Sequence, residues 1–329
     1  MISWAYSARP LGMYMLKKRS VIICVICVIC VLSIMDNWDL VLPAYAKINL
    51  GLRVLGKRPD GFHAIQTIFQ EVEFHDTLYF TKQTPEFSLT TNHASLPSGK
   101  QNLIWQAVQL LRKETGCSTP AAIHLDKHIP LGAGLGGGSS DAAAALQGLN
   151  ALFELQLSQR CLAELGAQLG SDVAFFLYGG TAVASGRGEQ VQPLADIEPV
   201  WVVLVNPGIH VSSAWAYKNL NLKLTNFRPL ISVLSKFEEG HVAGIKQLFS
   251  ENMLEKPVIR EYPVIQEIKN TLQAQGAEWT LMSGSGSTVF GIFTEKAAAE
   301  YARQCVEQPG WLVVLTRTKQ RTTTFGLVV

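Results

Sequence analysis

Charge is scarce in this chain. Only 16% of its 329 residues are Asp, Glu, Lys or Arg, and 28 basic residues face 26 acidic ones. No long basic stripe or basic patch interleaved with aromatics follows the first 34 residues, so a nucleic-acid partner is not expected. Long apolar runs are also missing. Val21–Met35 is almost free of polar residues but stops at fifteen, short of the roughly twenty that a membrane span needs. Cysteine is sparse, with six residues at 24, 27, 30, 117, 161 and 305. The first three have a tempting spacing, yet they lie in that apolar run with no fourth ligand nearby, so no metal site is expected. The others are scattered, as reduced thiols of a cytoplasmic protein would be. No internal repeat is visible. What remains is a chain 48% hydrophobic, long enough for two packed domains.

The N-terminal segment imitates a signal peptide. Lys17-Lys18-Arg19 precedes the apolar run, and Ala44-Tyr45-Ala46 has the form of a cleavage site. Asp36, Asn37 and Asp39 separate the two, and cleavage there would remove part of the first strand of the domain that follows. The expectation is a functional domain starting near Met35. Residues 1–34 would then be a dispensable or upstream-start extension, with a membrane tether as the alternative.

The most informative stretch is Pro130-Leu-Gly-Ala-Gly-Leu-Gly-Gly-Gly-Ser-Ser-Asp141, followed by an alanine-rich helical run. Glycines let several N–H groups converge, and the first turn of a helix adds unpaired donors and a positive dipole end. Together they form a phosphate site. Gly132-x-Gly134-x-x-Gly137 also has dinucleotide-fingerprint spacing, and Glu154 lies near the expected acidic position. That fingerprint should follow a buried strand, whereas Ala122–Ile129 alternates and is broken by Asp126, Lys127 and His128. A Walker loop is excluded because no Gly-Lys-Ser/Thr follows the glycines. The remaining alternative is a plain flexible turn.

The loop resembles the phosphate-binding loop of the GHMP kinase superfamily, Pro-x3-Gly-Leu-[Gly/Ser]-Ser-Ser-Ala in loose form. Other motifs follow that pattern in order from about Leu42 to the C-terminus. The resemblance implies an α+β fold: a ribosomal-protein-S5-like N-terminal domain over residues 35–195 and a ferredoxin-like C-terminal domain over 196–329. The site would lie in the cleft between them. It implies ATP and Mg2+ as cofactors and a small-molecule acceptor, in a monomer or weak homodimer.

For the nucleotide, the resemblance points to Pro130, Gly132, Gly134, Leu135, Gly136, Gly137, Gly138, Ser139 and Ser140. Asn102 would lie near the adenine; on its residue type alone it is equally a helix cap. Asp172, in Leu169-Gly-Ser-Asp-Val, matches the catalytic base. An Asp before an apolar run is otherwise an ordinary capping residue. Lys47, in Pro43-Ala-Tyr-Ala-Lys-Ile-Asn49, matches the lysine beside the base, with Tyr45 an extra or shifted position. Such a lysine in an apolar strand would otherwise snorkel to water. Asn49 and Ser213 would face the acceptor.

Phe62 and His63, in Arg58-Pro-Asp-Gly-Phe-His, match residues that stack on and hydrogen-bond a cytosine ring, with Phe62 in place of a Tyr. Tyr217 matches the second aromatic. Gly284, Ser285 and Gly286 form a second Gly/Ser loop near the transferred phosphate. These implied cytosine contacts favour a cytidine-diphosphate-linked acceptor over homoserine or mevalonate. No metal-ligating side chain is expected beyond the serines of the loop.

The pass along the chain predicts a strand over Leu40–Leu55 bent at Pro43, and an extended or short helical stretch over Phe62–Val72. A strand at Asp76–Phe80, a helix at Asn102–Glu114, a strand at Ala121–Ile129 and a helix at Ser139–Phe153 follow. Ser158 caps the next helix, which stops near Gly170, and a short one starts at Ser171. The C-terminal half reads as a strand at Val200–Asn206, helices at Val242–Leu254 and Val264–Gln275, and strands near 279–281 and 288–293. A helix at Lys296–Gln308 and a strand at Trp311–Thr316 end it.

Overall fold

A computed structural model describes residues 38–82, 84–221 and 241–321. The expectations for residues 1–34, including Cys24, Cys27 and Cys30, lie outside the described residues. Two antiparallel-rich sheets organise residues 40–321. The first is built on a long hairpin, β1 (Leu40–Lys57) and β2 (His63–Thr81). Its turn closes through Arg58 N–H to the Phe62 carbonyl at 2.8 Å. Pro43 sits within β1, and register shifts at Tyr45/Ala46, Asn49/Gly51 and Val54/Gly56 bend the hairpin. Where the sequence suggests two separate elements over Phe62–Phe80, β2 runs unbroken. Its pairing with β1 along its whole length outweighs the polar interruptions.

β3 (Ser88–Thr91), β4 (Ala122–Asp126), β5 (Thr181–Ser185) and β6 (Gln190–Pro193) complete the sheet, in the order β3-β4-β2-β5-β6. Helices α1 (Leu103–Thr115), α2 (Gly137–Leu152), α3 (Gln159–Leu169) and α4 (Val173–Tyr178) pack on it. Each helix boundary has a local cause. Asn102 Oδ1 accepts from Ile104 N–H at 2.9 Å, and Gly116 ends α1 in the left-handed region. Ser158 accepts from Cys161 N–H at the start of α3. The Ala142–Ala145 run lets α2 lie close on the hairpin.

The second sheet follows the order β10-β7-β9-β8, all antiparallel, with β7 (Trp201–Asn206), β8 (Trp279–Met282), β9 (Val289–Phe293) and β10 (Leu312–Arg317). The first and third of its four strands lie in the middle, with the last beside the first at one edge, which is the ferredoxin-like order that the resemblance implies. Its helices are α5 (Ser213–Lys218), α6 (Val242–Leu248), α7 (Glu255–Glu261), α8 (Val264–Ala274) and α9 (Lys296–Val306). The single helix expected over Val242–Leu254 ends at Leu248. Asn252 then turns the chain, accepting from Leu254 N–H and donating to the carbonyls of Met282 and Gly284 at 2.8 and 2.7 Å. An apolar cluster including Ile48, Ile129, Leu135, Val202 and Phe290 joins the two sheets. Among the described residues, no helix is long and apolar enough to cross a membrane.

Asn252 is buried, and both carbonyls that it satisfies lie at the base of the second Gly/Ser loop. Asn252→Ala strands them, at an expected cost of about 1–3 kcal/mol. Urea unfolding of the variant beside the wild type measures it.

Candidate active site

β1 presents Lys47 on a fully desolvated stretch of strand, with the residue only 3% exposed. Burial pulls the ammonium's pKa below its ordinary value, and the charge of Asp172 pushes it back up. Lys47 Nζ lies 3.5 Å from Asp172 Oδ2 and donates to Asn49 Oδ1 at 2.6 Å. Asn49 in turn donates to Thr67 Oγ1 at 2.7 Å, and Thr67 donates to the Gly51 carbonyl at 2.6 Å. The ammonium also stands 5.0 Å from the Phe69 ring centroid. Asp172 immediately precedes α4, yet its side chain makes no capping hydrogen bond. The capping alternative therefore does not describe it; its carboxylate faces Lys47 and is partly open to the cleft.

The glycine loop frames the other wall. Gly132, Gly134 and Gly136 all have positive φ, and α2 begins behind Gly136 with no side-chain cap, which leaves its first N–H groups free for an anion. The loop is pinned from two sides. Lys47 N–H donates to the Leu135 carbonyl at 3.0 Å. Ser283 Oγ donates to the Gly134 carbonyl at 2.8 Å and accepts from Asn49 N–H at 3.2 Å. At Gly134 a Cβ would stand 2.1 Å from the Ser283 carbonyl oxygen, so only glycine permits the two loops to meet. The three motifs, far apart in sequence, thus share one cleft of about 550 Å³.

Pro130, Gly132, Gly134, Gly136, Gly137, Gly138, Ser139, Lys47, Asn49, Asp172, Ser213, Tyr217, Gly284 and Ser285 all line that cleft. Ser213 Oγ and Ser285 Oγ lie 2.9 Å apart, linking α5 to the second loop. Other expected residues stand elsewhere. Leu135 is packed in the core and contributes its carbonyl. Ser140, one residue around the helix from Ser139, borders a separate cavity with Tyr45, Glu71 and Tyr178. Asn102 is buried as the α1 cap, while its neighbour Leu103 reaches the cleft. Gly286 is buried within its loop.

The aromatic residues form two pairs. His63 stacks on Tyr217 with centroids 5.0 Å apart and planes 11° apart, so Tyr217 faces His63 rather than Phe62. Phe62 is 54% exposed, with the Arg187 guanidinium 5.0 Å from its ring centroid. Burial, and secondarily the charge of Lys57, lowers the His63 pKa, which favours the neutral ring. Burial and then Asp172 raise that of the Tyr217 hydroxyl.

Sequence reasoning left out a buried ionic trio beneath the glycine loop. Lys127 Nζ contacts Asp76 and donates to Asp141 Oδ2 at 2.8 Å. Asp76 Oδ1 accepts from the N–H groups of His128 and Ile129, which lead into the loop. A Cβ on Gly137 would lie 2.8 Å from Lys127 Nζ. The trio therefore ties β2, the loop entry and the second turn of α2 together. Asp141 directly after Ser139-Ser140, and Lys127 inside an otherwise alternating strand, were its visible signals. Burial, with Asp76 adding to it, pushes the Asp141 carboxyl up to about 8, against the opposing pull of Lys127. Arg187 and His210 also line the cleft without having been singled out.

Two such sheets, with a glycine loop leading into an uncapped helix, form the fold of the GHMP kinases. The GHMP kinases N terminal domain matches residues 102–180 and the GHMP kinases C terminal domain matches 233–310. The 4-diphosphocytidyl-2-C-methyl-D-erythritol kinase of a Geobacter species is 42% identical over 281 residues, spanning 85% of this chain and 99% of its own length. The enzyme of the same name from Geobacillus thermodenitrificans is 44% identical over 255 residues, covering 77% of this chain and 88% of its own. A crystal structure of a 4-(cytidine 5'-diphospho)-2C-methyl-D-erythritol kinase superposes with a TM-score of 0.68 at 33% identity, over 85% of this chain and 99% of that one. The chain belongs to the 4-diphosphocytidyl-2-C-methyl-D-erythritol kinase family.

The raised Asp141 pKa has a signed consequence. A carboxyl that keeps its proton in the folded state stabilises that state fully below its ordinary range near pH 4. The contribution falls as pH rises and is lost once pH passes about 8. Asp141→Asn, which has no proton to lose, is expected to show a flatter stability profile than the wild type between pH 4 and 8. Denaturant midpoints of both proteins across that range measure the difference.

Proposed function

We propose that the chain transfers the γ-phosphoryl group of ATP to the 2-hydroxyl of 4-diphosphocytidyl-2-C-methyl-D-erythritol, in the non-mevalonate route to isoprenoid precursors. The observation that carries the reading is the Lys47–Asp172 pair at 3.5 Å, opening on the cleft framed by the glycine loop. The names of the relatives supply the acceptor.

In this reading the free N–H groups of the loop and of α2 hold the nucleotide phosphates. Asp172 accepts the proton of the acceptor hydroxyl as its oxygen bonds to the γ-phosphorus, and the bond to the β-bridging oxygen breaks to release ADP. Lys47 balances the charge gathering on the equatorial oxygens and keeps Asp172 ionised. Asn49 fixes the lysine. His63 and Tyr217 offer a neutral imidazole and a hydroxyl to the cytosine edge, and Phe62 offers an exposed face for stacking. Ser213, with Ser285 and its glycine neighbours, borders the acceptor.

Mg2+ fits this cleft. Among the described residues no group of three or more His, Cys, Asp or Glu could hold a metal ion, whereas Mg2+ needs only one or two protein oxygens beside substrate phosphates. Ser139, which lines the cleft, is the candidate. The ion would neutralise charge on the β- and γ-oxygens. The proposed setting is the cytoplasm, where ATP is available, with the protein acting as a monomer or weak homodimer.

The test is ADP release from Mg2+-ATP with the cytidyl acceptor, for wild type and Asp172→Asn. The expected result is acceptor-dependent turnover that falls about 10²–10⁴-fold in kcat in the variant. Competition by CMP is expected as well; its absence would favour an acceptor of the homoserine or mevalonate type.

A further inference from the structure

Arg187 occupies the turn between β5 and β6, between Gly186 and Gly188, whose φ values are +71° and +114°. The turn is held rigidly. Arg187 N–H donates to Glu189 Oε2 at 2.6 Å, Gly188 N–H to the Ser185 carbonyl at 3.0 Å, and Ile65 N–H to the Gly186 carbonyl at 2.8 Å. It also lies against the proposed base: a Cβ on Gly188 would stand 3.7 Å from Asp172 Oδ1 and 3.5 Å from Ser171 Cβ. From that turn the side chain extends to Phe62, with its guanidinium carbon 5.0 Å from the ring centroid. Arg187 therefore rises from a turn that packs beside the carboxylate facing the acceptor hydroxyl, and its side chain ends on the exposed aromatic.

Charge accounting in the cleft isolates this residue. The basic side chains that line it are Lys47, Arg187 and His210. Lys47 is engaged by Asp172 and Asn49. His210 stands against Gly132, where an added Cβ would come within 2.6 Å of its ring, on the nucleotide side. Arg187 meets Glu189 at 3.9 Å through Nε, and its charge reaches the Asp60 carboxyl, which Arg58 already holds at 3.0 Å, so the terminal fork of the guanidinium has no close acidic partner among the described residues. A planar fork binds paired phosphate oxygens bidentately, which a lysine ammonium cannot do.

We propose that Arg187 binds the diphosphate of a cytidine-diphosphate-linked acceptor and is a specificity-determining residue of this site. The inference rests on the function proposed above. Arg187 and Asp172 line the same cleft, and the Arg187 side chain ends on Phe62, so an acceptor with its hydroxyl at Asp172 and its nucleobase near Phe62 would bring its diphosphate to Arg187. An acceptor without a diphosphate leaves the fork unmatched.

The experiment uses the full chain as wild type, Arg187→Ala and Arg187→Lys. Calorimetry measures CMP and CDP binding to each, and steady-state kinetics give KM for ATP and for the cytidyl acceptor. CDP is expected to bind the wild type more tightly than CMP, and Arg187→Ala is expected to erase that preference. Acceptor KM should rise about 10–100-fold, as loss of a hydrogen bond to a charged group implies, with ATP KM within about twofold. Arg187→Lys should recover part of the loss, and it carries the test if the alanine variant does not fold. An unchanged CDP-to-CMP preference with unchanged acceptor KM overturns the role of Arg187. A wild type that binds CDP but does not turn over the acceptor overturns the function reading instead, while the binding ratios still decide the role of Arg187.

Discussion

A lysine ammonium almost withdrawn from water is the constraint around which this molecule is arranged. Lys47 cannot snorkel, because its strand is covered on both faces. Desolvation of that charge must be offset by partners at short range. Asp172 and Asn49 provide them, and each is fixed by a different part of the fold. Asn49 is held by Thr67 across the hairpin and by Ser283 from the second sheet. Asp172 is held by the turn into α4. The geometry that answers a buried cation is also the geometry in which a carboxylate can receive a proton next to a bound phosphate.

The glycine loop depends on the same centre. Its backbone is caught between Lys47 N–H on one side and Ser283 on the other, and the Asp76–Lys127–Asp141 trio supports it from below. Removing Lys127 or Asp76 leaves the other's buried charge unanswered, and for that reason the arrangement holds shape better than it adds stability. The loop can thus be rich in glycine and still present its N–H groups in a defined direction.

Much of this was legible because it depends on local chemistry. Asn102 and Ser158 announce helix starts, Gly170 announces an end, and the Pro130–Ser140 run has the form of an anion site whatever surrounds it. The apolar run of Val200–Asn206 and the periodicity of Val264–Gln275 likewise survived folding nearly unchanged. What was not legible is set by tertiary contact. Nothing within Phe62–Phe80 tells that β1 will pair with all of it and keep it extended through Glu71, Glu73 and Asp76. Nothing local tells that Asn252 will find two carbonyls thirty residues on and end a helix early. Ser139 and Ser140 look equivalent in sequence, but one helical step separates the cleft from a different cavity. Asp141, Lys127 and Arg187 carry no local mark of their surroundings until the fold buries the first two face to face and sets Arg187 against Phe62.

The contact between Asn49 and Ser283 spans 234 positions, and this has a bearing on how the protein is born. A ribosome makes the hairpin, the glycine loop and Asp172 well before it makes Ser283, at a pace of about 5–20 residues per second. During that interval the emerging chain holds Asp172 and Lys47 but lacks the hydroxyl that pins the glycine loop. The active site is therefore a late event of synthesis, assembled only when nearly the whole polypeptide is out. A prematurely terminated chain would carry most of the recognisable motifs and none of the finished geometry.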